Sequence, residues 1–161
     1  MEENEELTPA PKELSQAEKA DKLDIAFAKE REEISLYIKT NILSKMSEIN
    51  TIADIQVHIL SQRQKLVDKS SELRASIRKK NKNVHAVRKQ KYRFYKLEYD
   101  IKLNDYEIKN HIESDIEQTA NMIKMIENQI TFFKETTDGL DKSIYMIKYL
   151  IEIKKYLSGS F

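Results

Sequence analysis

The residues with the clearest capacity for chemistry lie between Arg74 and Tyr99, where RASIRKKNKNVHAVRKQKYRFYKLEY sets lysines and arginines beside aromatic rings. Cations neutralise phosphates and release their counterions, and rings offer unstacked bases a surface, so this combination points to nucleic acid. From Arg63 to Lys96 the chain holds thirteen Lys/Arg against Asp68 and Glu72, whereas residues 1–33 hold five bases and eleven acids. Residues 97–161 are again acidic, with eight bases and twelve acids. The formal net charge of +1 therefore hides a segregated molecule, basic in the middle and acidic on both flanks. Candidate phosphate contacts are Arg74, Arg78, Lys79, Lys80, Lys82, Arg88, Lys89, Lys91, Arg93 and Lys96, and candidate stacking rings are Tyr92, Phe94 and Tyr95. The plainer reading of such a run is a solvated helix face, and the rings are then core.

Other chemistries find little footing. Two glycines cannot build a phosphate-cradling loop, and His58, His85 and His111 lack paired ligand spacing. No nucleophile elbow is present, and carboxylates scattered over helix faces read as solubilising groups rather than an acid/base pair. No enzyme activity, metal or cofactor is expected. Cysteine is absent, so there is no disulfide framework. The acidic start lacks the apolar core of a signal peptide, and the most apolar stretch, Ile144–Leu157, is too short and too charged to span a bilayer. These features fit a soluble protein of a reducing, cytoplasmic compartment.

The elements that must position the basic stretch are helical. The chain has two prolines, both by Pro11, so little stands in the way of long helices. Residues 1–13 are acidic and read as a disordered tail, of the kind that can act as an arm competing with a polyanion for the basic stretch. From residue 14 an amphipathic helix is expected to run to about Tyr95. Its seam is Ile38, Ile42, Ile49, Ile52, Ile59, Leu66, Leu73 and Ile77, interrupted by Lys45, Gln56, Arg63 and Ser70. Between Tyr95 and Leu103 apolar and charged residues alternate, which predicts a half-buried strand or an extended linker, followed by turn chemistry at Asn104-Asp105. Ser114-Asp115-Ile116-Glu117 has the form of a capping box and predicts a helix start. Asp138-Gly139 reads as a tight turn, making residues 115–157 an αα-hairpin. The predicted fold is thus mainly α, a single helical domain over residues 14–161. The last helix is apolar nearly all round, through Tyr145, Met146, Tyr149, Leu150, Ile153, Tyr156 and Leu157, which predicts burial between subunits. Ile123, Ile126, Ile130, Phe133, Leu140, Ile144, Ile147, Leu150, Ile151 and Leu157 are the candidate oligomerisation residues.

Three short motifs carry a resemblance. Ile147-Lys148, Ile151-Glu152, Lys154-Lys155-Tyr156 and Ser158-Gly159 follow one another without a gap. Ile112-Glu113-Ser114-Asp115 precedes them, and Lys89-Gln90-Lys91-Tyr92-Arg93-Phe94-Tyr95 gives a basic-x-basic-x-x-aromatic-aromatic pattern. In this order, over about Arg74–Gly159, they resemble the UvsY family of recombination mediator proteins from large tailed phages. Ser143-Ile144-Tyr145 stands where that family often has Arg-Gly-aromatic, and residues 1–33 have no counterpart. The resemblance implies a non-enzymatic protein that binds single-stranded DNA in a phage-infected cell. It also implies loading of a RecA-like recombinase onto strands covered by single-strand-binding protein. It further implies a homo-oligomeric ring of roughly six or more copies, with phosphate contacts at Lys89 and Lys91 and assembly through Ile144–Leu157. A competing reading, from the helix–extended piece–helix order, is a prefoldin-like coiled-coil chaperone or a structural rod. Against it, a chaperone arm has no need for so concentrated a positive charge.

Overall fold

The computed structural model describes residues 15–46 and 48–159; the expected acidic tail at 1–13 lies outside them. Three helices follow in order: α1 (Gln16–Asn41), α2 (Ile52–Leu97) and α3 (Asp105–Leu157), with short 3₁₀ turns at Leu43–Lys45 and Ile49–Thr51 between the first two. At ~1.5 Å per residue, α2 is about 70 Å long and α3 about 80 Å.

Helix α1 starts where Ser15 and Glu18 form a reciprocal cap: the Ser15 hydroxyl accepts from the Glu18 amide (3.2 Å), and the Ser15 amide donates to the Glu18 carboxylate (2.7 Å). The expected single helix from residue 14 to Tyr95 is instead two helices folded back on each other. No glycine or proline makes the break. Asn41 donates to the Tyr37 carbonyl (3.1 Å), Ser44 to that of Thr40 (2.7 Å), and Thr51 to that of Glu48 (2.8 Å). Such side chains offer the backbone partners outside the helical ladder. Burial favours the reversal: Ile34 and Ile42 join Ile55, Ile59 and Leu66 in a core that also takes Phe133, Leu140 and Ile147 from α3. A straight rod would leave these side chains wet, and each is worth roughly 1.5–3 kcal/mol when buried. The side chain of Ile49 lies outside the described residues.

Helix α1 runs antiparallel to α2, as the pairs Lys69–Glu30 and Tyr37–His58 (Oη to Nδ1, 2.7 Å) show. Helix α3 runs antiparallel to α2 as well, through Arg63–Asp141 (2.9 Å) near one end and Arg88–Glu113 (2.9 Å) toward the other. A smaller core of Val84, Ile116 and Ile123, backed by Ile77 and Val87, lies toward that second end.

One polar group sits wholly inside. Gln129 is fully buried; its Oε1 accepts from Arg31 Nε (2.6 Å) and its Nε2 donates to Glu30 (2.7 Å), whose other oxygen takes Lys69 of α2. All three helices meet there, with the Arg31 guanidinium also over the Phe132 ring at 5.5 Å.

Two further expectations are corrected. No strand forms among the described residues: Tyr95 and Leu97 belong to α2, and residues 98–104 are an irregular connector. Alternation there serves a turn whose rings face one another rather than a sheet. The C-terminal hairpin is also absent, because α3 is one continuous helix. It begins at Asn104, whose side chain accepts from the Glu107 amide (2.9 Å) while Glu107 accepts from the Asn104 amide (2.8 Å). Ser114 lies inside the helix, carried through by the buried face Ile108, Ile112 and Ile116. Asp138-Gly139 is likewise interior: Ile126, Phe133, Leu140 and Ile147, all almost fully buried, recur at seven-residue steps straight across it. Of the residues expected between subunits, Ile123, Ile126, Phe133, Leu140 and Ile147 are covered within one chain, Ile144 and Ile151 pack against that core, Ile130 and Leu150 are half-buried, and Leu157 is exposed.

Two stability outcomes follow from these interior positions. Gly139 has helical backbone and open space where a Cβ would stand, so Gly139→Ala should raise unfolding free energy by about 0.5–1 kcal/mol in a urea titration. A left-handed turn there would give the opposite sign. Gln129→Leu should destabilise by about 1–3 kcal/mol, since it strands the polar groups of Arg31 and Glu30 beside an apolar core.

Candidate nucleic-acid interface

Helical phase divides the basic stretch into two populations. The inward cations lie against α3 and meet its acids: Arg88 grips both Glu113 oxygens (2.9 and 3.1 Å) and Lys91 reaches Asp115 (3.1 Å), while Lys96, in phase with Lys89 at the end of α2, reaches Asp105 (2.7 Å) across the connector. Lys80 is half-buried with its Nζ 4.0 Å from the Met122 sulfur. The outward cations are Arg78, Lys82, Lys89 and Arg93, all exposed. Their steps of four, seven and four residues keep them on one face, a stripe about 22 Å long at the helical rise. Lys79 is exposed beside this stripe. Arg74 is exposed too, but it lies over Lys134, Thr137 and Asp138 of α3, further down the hairpin.

The rings divide in the same way. Phe94, Tyr95 and Tyr99 meet edge-on with centroids 5.3–5.8 Å apart, and His111 of α3 stacks on Tyr95 at 5.2 Å. The Tyr95 hydroxyl donates to Asp115 (2.9 Å), and the Lys91 ammonium stands 5.9 Å from the Phe94 and Tyr95 centroids. This knot closes the turn from α2 into α3, which gives Tyr95 and Phe94 an internal task. Tyr92 points elsewhere. It is 46% exposed and lines an open groove of about 660 Å³ with His85, Arg88, Lys89, Arg93 and, from α3, Lys109. Across the stripe, Lys89 and Arg93 also border a second depression of about 540 Å³ with Ala86, Gln90 and Phe94. Lys89 and Arg93 thus stand on the ridge between two hollows, next to an accessible ring.

Lys109 and His85 were absent from the sequence-derived set. His85 falls three residues after Lys82 and could have been placed by phase alone. Lys109 is a solitary base among acids in the sequence, and only the antiparallel pairing of α2 with α3 brings it to the groove. The acids Asp105, Glu113 and Asp115 are likewise invisible as partners until α3 is folded along α2.

Among the described residues no group of acidic and histidine side chains is arranged to hold a metal ion, and no helix is long and apolar enough to cross a membrane. Comparison of the chain with protein-family models, with curated proteins and with solved structures returns no match. The resemblance to recombination mediators therefore stands on the motif residues alone. Of these, Glu113 and Asp115 are the acids that anchor Arg88 and Lys91.

Two ionisations report on the end of the hairpin. Burial, then the hydrogen bond and charge of Asp115, raise the Tyr95 phenol above its ordinary 10.0, and the hydrogen bond and charge of Asp105 raise the Lys96 ammonium above 10.5. The folded chain keeps the Tyr95 proton where the unfolded chain would release it, and the Lys96 contribution is complete below the ordinary lysine value. Stability from both is lost as pH climbs past about 10. Wild type should therefore melt higher than Asp115→Asn at about pH 8, and the gap should narrow above pH ~10.5 in circular-dichroism melts.

Proposed function

We propose that this chain is a non-enzymatic mediator that binds single-stranded DNA along the outward face of α2 and helps a RecA-like recombinase load onto it. The observation that carries this reading is the sorting of the cations. Arg88, Lys91 and Lys96 are engaged by α3 acids, while Arg78, Lys82, Lys89 and Arg93 form an exposed stripe with the accessible Tyr92 ring beside it. Phosphates would follow the stripe, with Lys109 adding a contact from α3, and a base would stack on Tyr92 at about 1–3 kcal/mol. Little sequence preference and steep salt dependence follow from contacts of this kind. Lys91 carries the expected family contact by motif, but its ion pair with Asp115 makes Lys89 and Arg93 the stronger candidates.

Displacement of single-strand-binding protein, recombinase contact and action in the cytoplasm of a phage-infected cell come from the resemblance alone. Assembly has separate support. The outer face of α3 exposes Tyr145, Met146, Tyr149, Ile153, Tyr156 and Leu157, at spacings of three and four residues. A second copy covering this face would join many weak strand contacts into one avid surface, by ~10²–10⁴ where geometry allows. The same exposed face favours a second reading, a helical chaperone whose apolar end holds unfolded clients. Client binding that persists at high salt, without DNA affinity, would support it.

Fluorescence anisotropy of a labelled oligonucleotide, single strand against duplex over a salt series, tests the proposal. Wild type should prefer the single strand. Lys89→Ala/Arg93→Ala should bind weakly and lower the log–log salt slope by about 1.4, for two lost phosphate contacts, with an unchanged mass by light scattering. No binding at low salt would end the nucleic-acid reading.

A further inference from the structure

The groove that Tyr92 lines has a wall on each of two helices. His85, Lys89 and Tyr92 recur at steps of four and three residues on α2, and Lys109 and Ile112 face them at a step of three on α3. Ile112 is buried and gives the groove an apolar floor. Its volume of about 660 Å³ is that of a small-ligand site. The carboxylates on its border are already engaged, Glu113 by Arg88 and Asp105 by Lys96. Lys89, Arg93 and Lys109 have no hydrogen bond or ion pair among the described residues, and Tyr92 has no ring contact there. An unopposed positive rim thus surrounds a free aromatic face. The depression on the other side of the ridge lacks this pairing. Its ring, Phe94, is held in the aromatic knot, its Lys91 is held by Asp115, and Glu98 sets a carboxylate beside them.

We propose that this groove takes one unpaired nucleotide out of a bound strand, with the base between the Tyr92 ring and the Ile112 floor and its flanking phosphates on Lys89 and Arg93 along one rim and Lys109 along the other. Lys89 and Arg93 stand about 6 Å apart along the helix axis, the scale of one nucleotide step in an extended strand. A base in a duplex is stacked and paired, so it must be extruded before it can enter, at a cost in unpairing that a single strand does not meet. A duplex therefore keeps the phosphate contacts of the stripe and forfeits the groove. General affinity then lies with the outward cations, and the choice of single over double strand lies with Tyr92 and Lys109. With both bordering carboxylates engaged, the base is held by its face rather than its edge, and all four bases are accepted. The inference rests on the nucleic-acid reading above and adds the site at which single strands are selected.

The test uses the full chain and its Tyr92→Leu, Lys109→Ala and doubly substituted variants, all at exposed positions, with folding checked by circular dichroism. Three labelled probes are titrated at low salt: a short thymine strand, a strand of the same length in which every nucleotide is abasic, and a duplex. Tyr92→Leu should weaken binding of the thymine strand by about 5-fold or more, and should change binding of the abasic strand and the duplex by less than about twofold. Lys109→Ala should also weaken the thymine strand, and the two losses should fall short of adding in the double variant, because both residues hold the same nucleotide. Equal losses on the thymine and abasic strands, or losses from Tyr92 and Lys109 that add in full, would overturn the groove while leaving the nucleic-acid reading intact. No binding of any probe by the wild type would overturn both.

Discussion

Toward the turn that joins α2 to α3, the second core draws only on those two helices, and two helices bury one apolar stripe each. That constraint organises the end of the molecule that carries the cations. Val84, Ile116 and Ile123 fill the stripe, and every position flanking it must be polar yet still close to the partner helix. Arg88 and Lys91 on one side and Glu113 and Asp115 on the other answer this need, and Lys96 meets Asp105 beyond them at the connector. Each of these partly exposed pairs contributes little alone, about 0–1 kcal/mol, but together they settle which cations are spoken for. The remaining phase of the helix is left to solvent, and it is there that Lys82, Lys89 and Arg93 stand.

The opposite end obeys a different rule because a third helix is present. Three helices enclose a real core, and the buried Gln129 with its partners on Glu30, Arg31 and Lys69 marks its register. A seam of isoleucines repeating every seven residues tolerates sliding by one repeat, since apolar contacts are nearly indifferent to it. A buried amide with directional partners is not indifferent, and polar groups of this kind are best attested as register devices. The aromatic knot of Tyr95, Tyr99, Phe94 and His111 pins the far end of the same pairing. Between these two fixed points the alignment of Lys89 with its groove follows.

Much of this was legible from periodicity. The helical class, the basic segment and the two apolar seams can all be read from residue spacing. The errors came from local signals outweighed by packing. Asp138-Gly139 has turn chemistry, yet Phe133, Leu140 and Ile147 stay in one phase across it, and a turn would have thrown that phase out. Ser114 with Glu117 has cap chemistry, yet Ile108, Ile112 and Ile116 continue through it. The reversal after Asn41 was missed for the converse reason: no glycine or proline announces it, and its cause is burial of Ile34 and Ile42 against residues far along the chain. At the candidate site, the sequence supplied the cations but not their division. That depends on which acids α3 presents, a pairing between residues nine to twenty-five positions apart that no local pattern encodes.

The two-helix arm has a consequence for how such a molecule can vary. Its contacts are pairwise and repeat every seven residues, so a matched insertion or loss of one heptad in each helix leaves the three-helix body and the aromatic turn as they are. Only the distance between them changes. The spacing between the end that carries the cations and the end that carries the apolar face is therefore an adjustable ruler, set by helix length and independent of either surface.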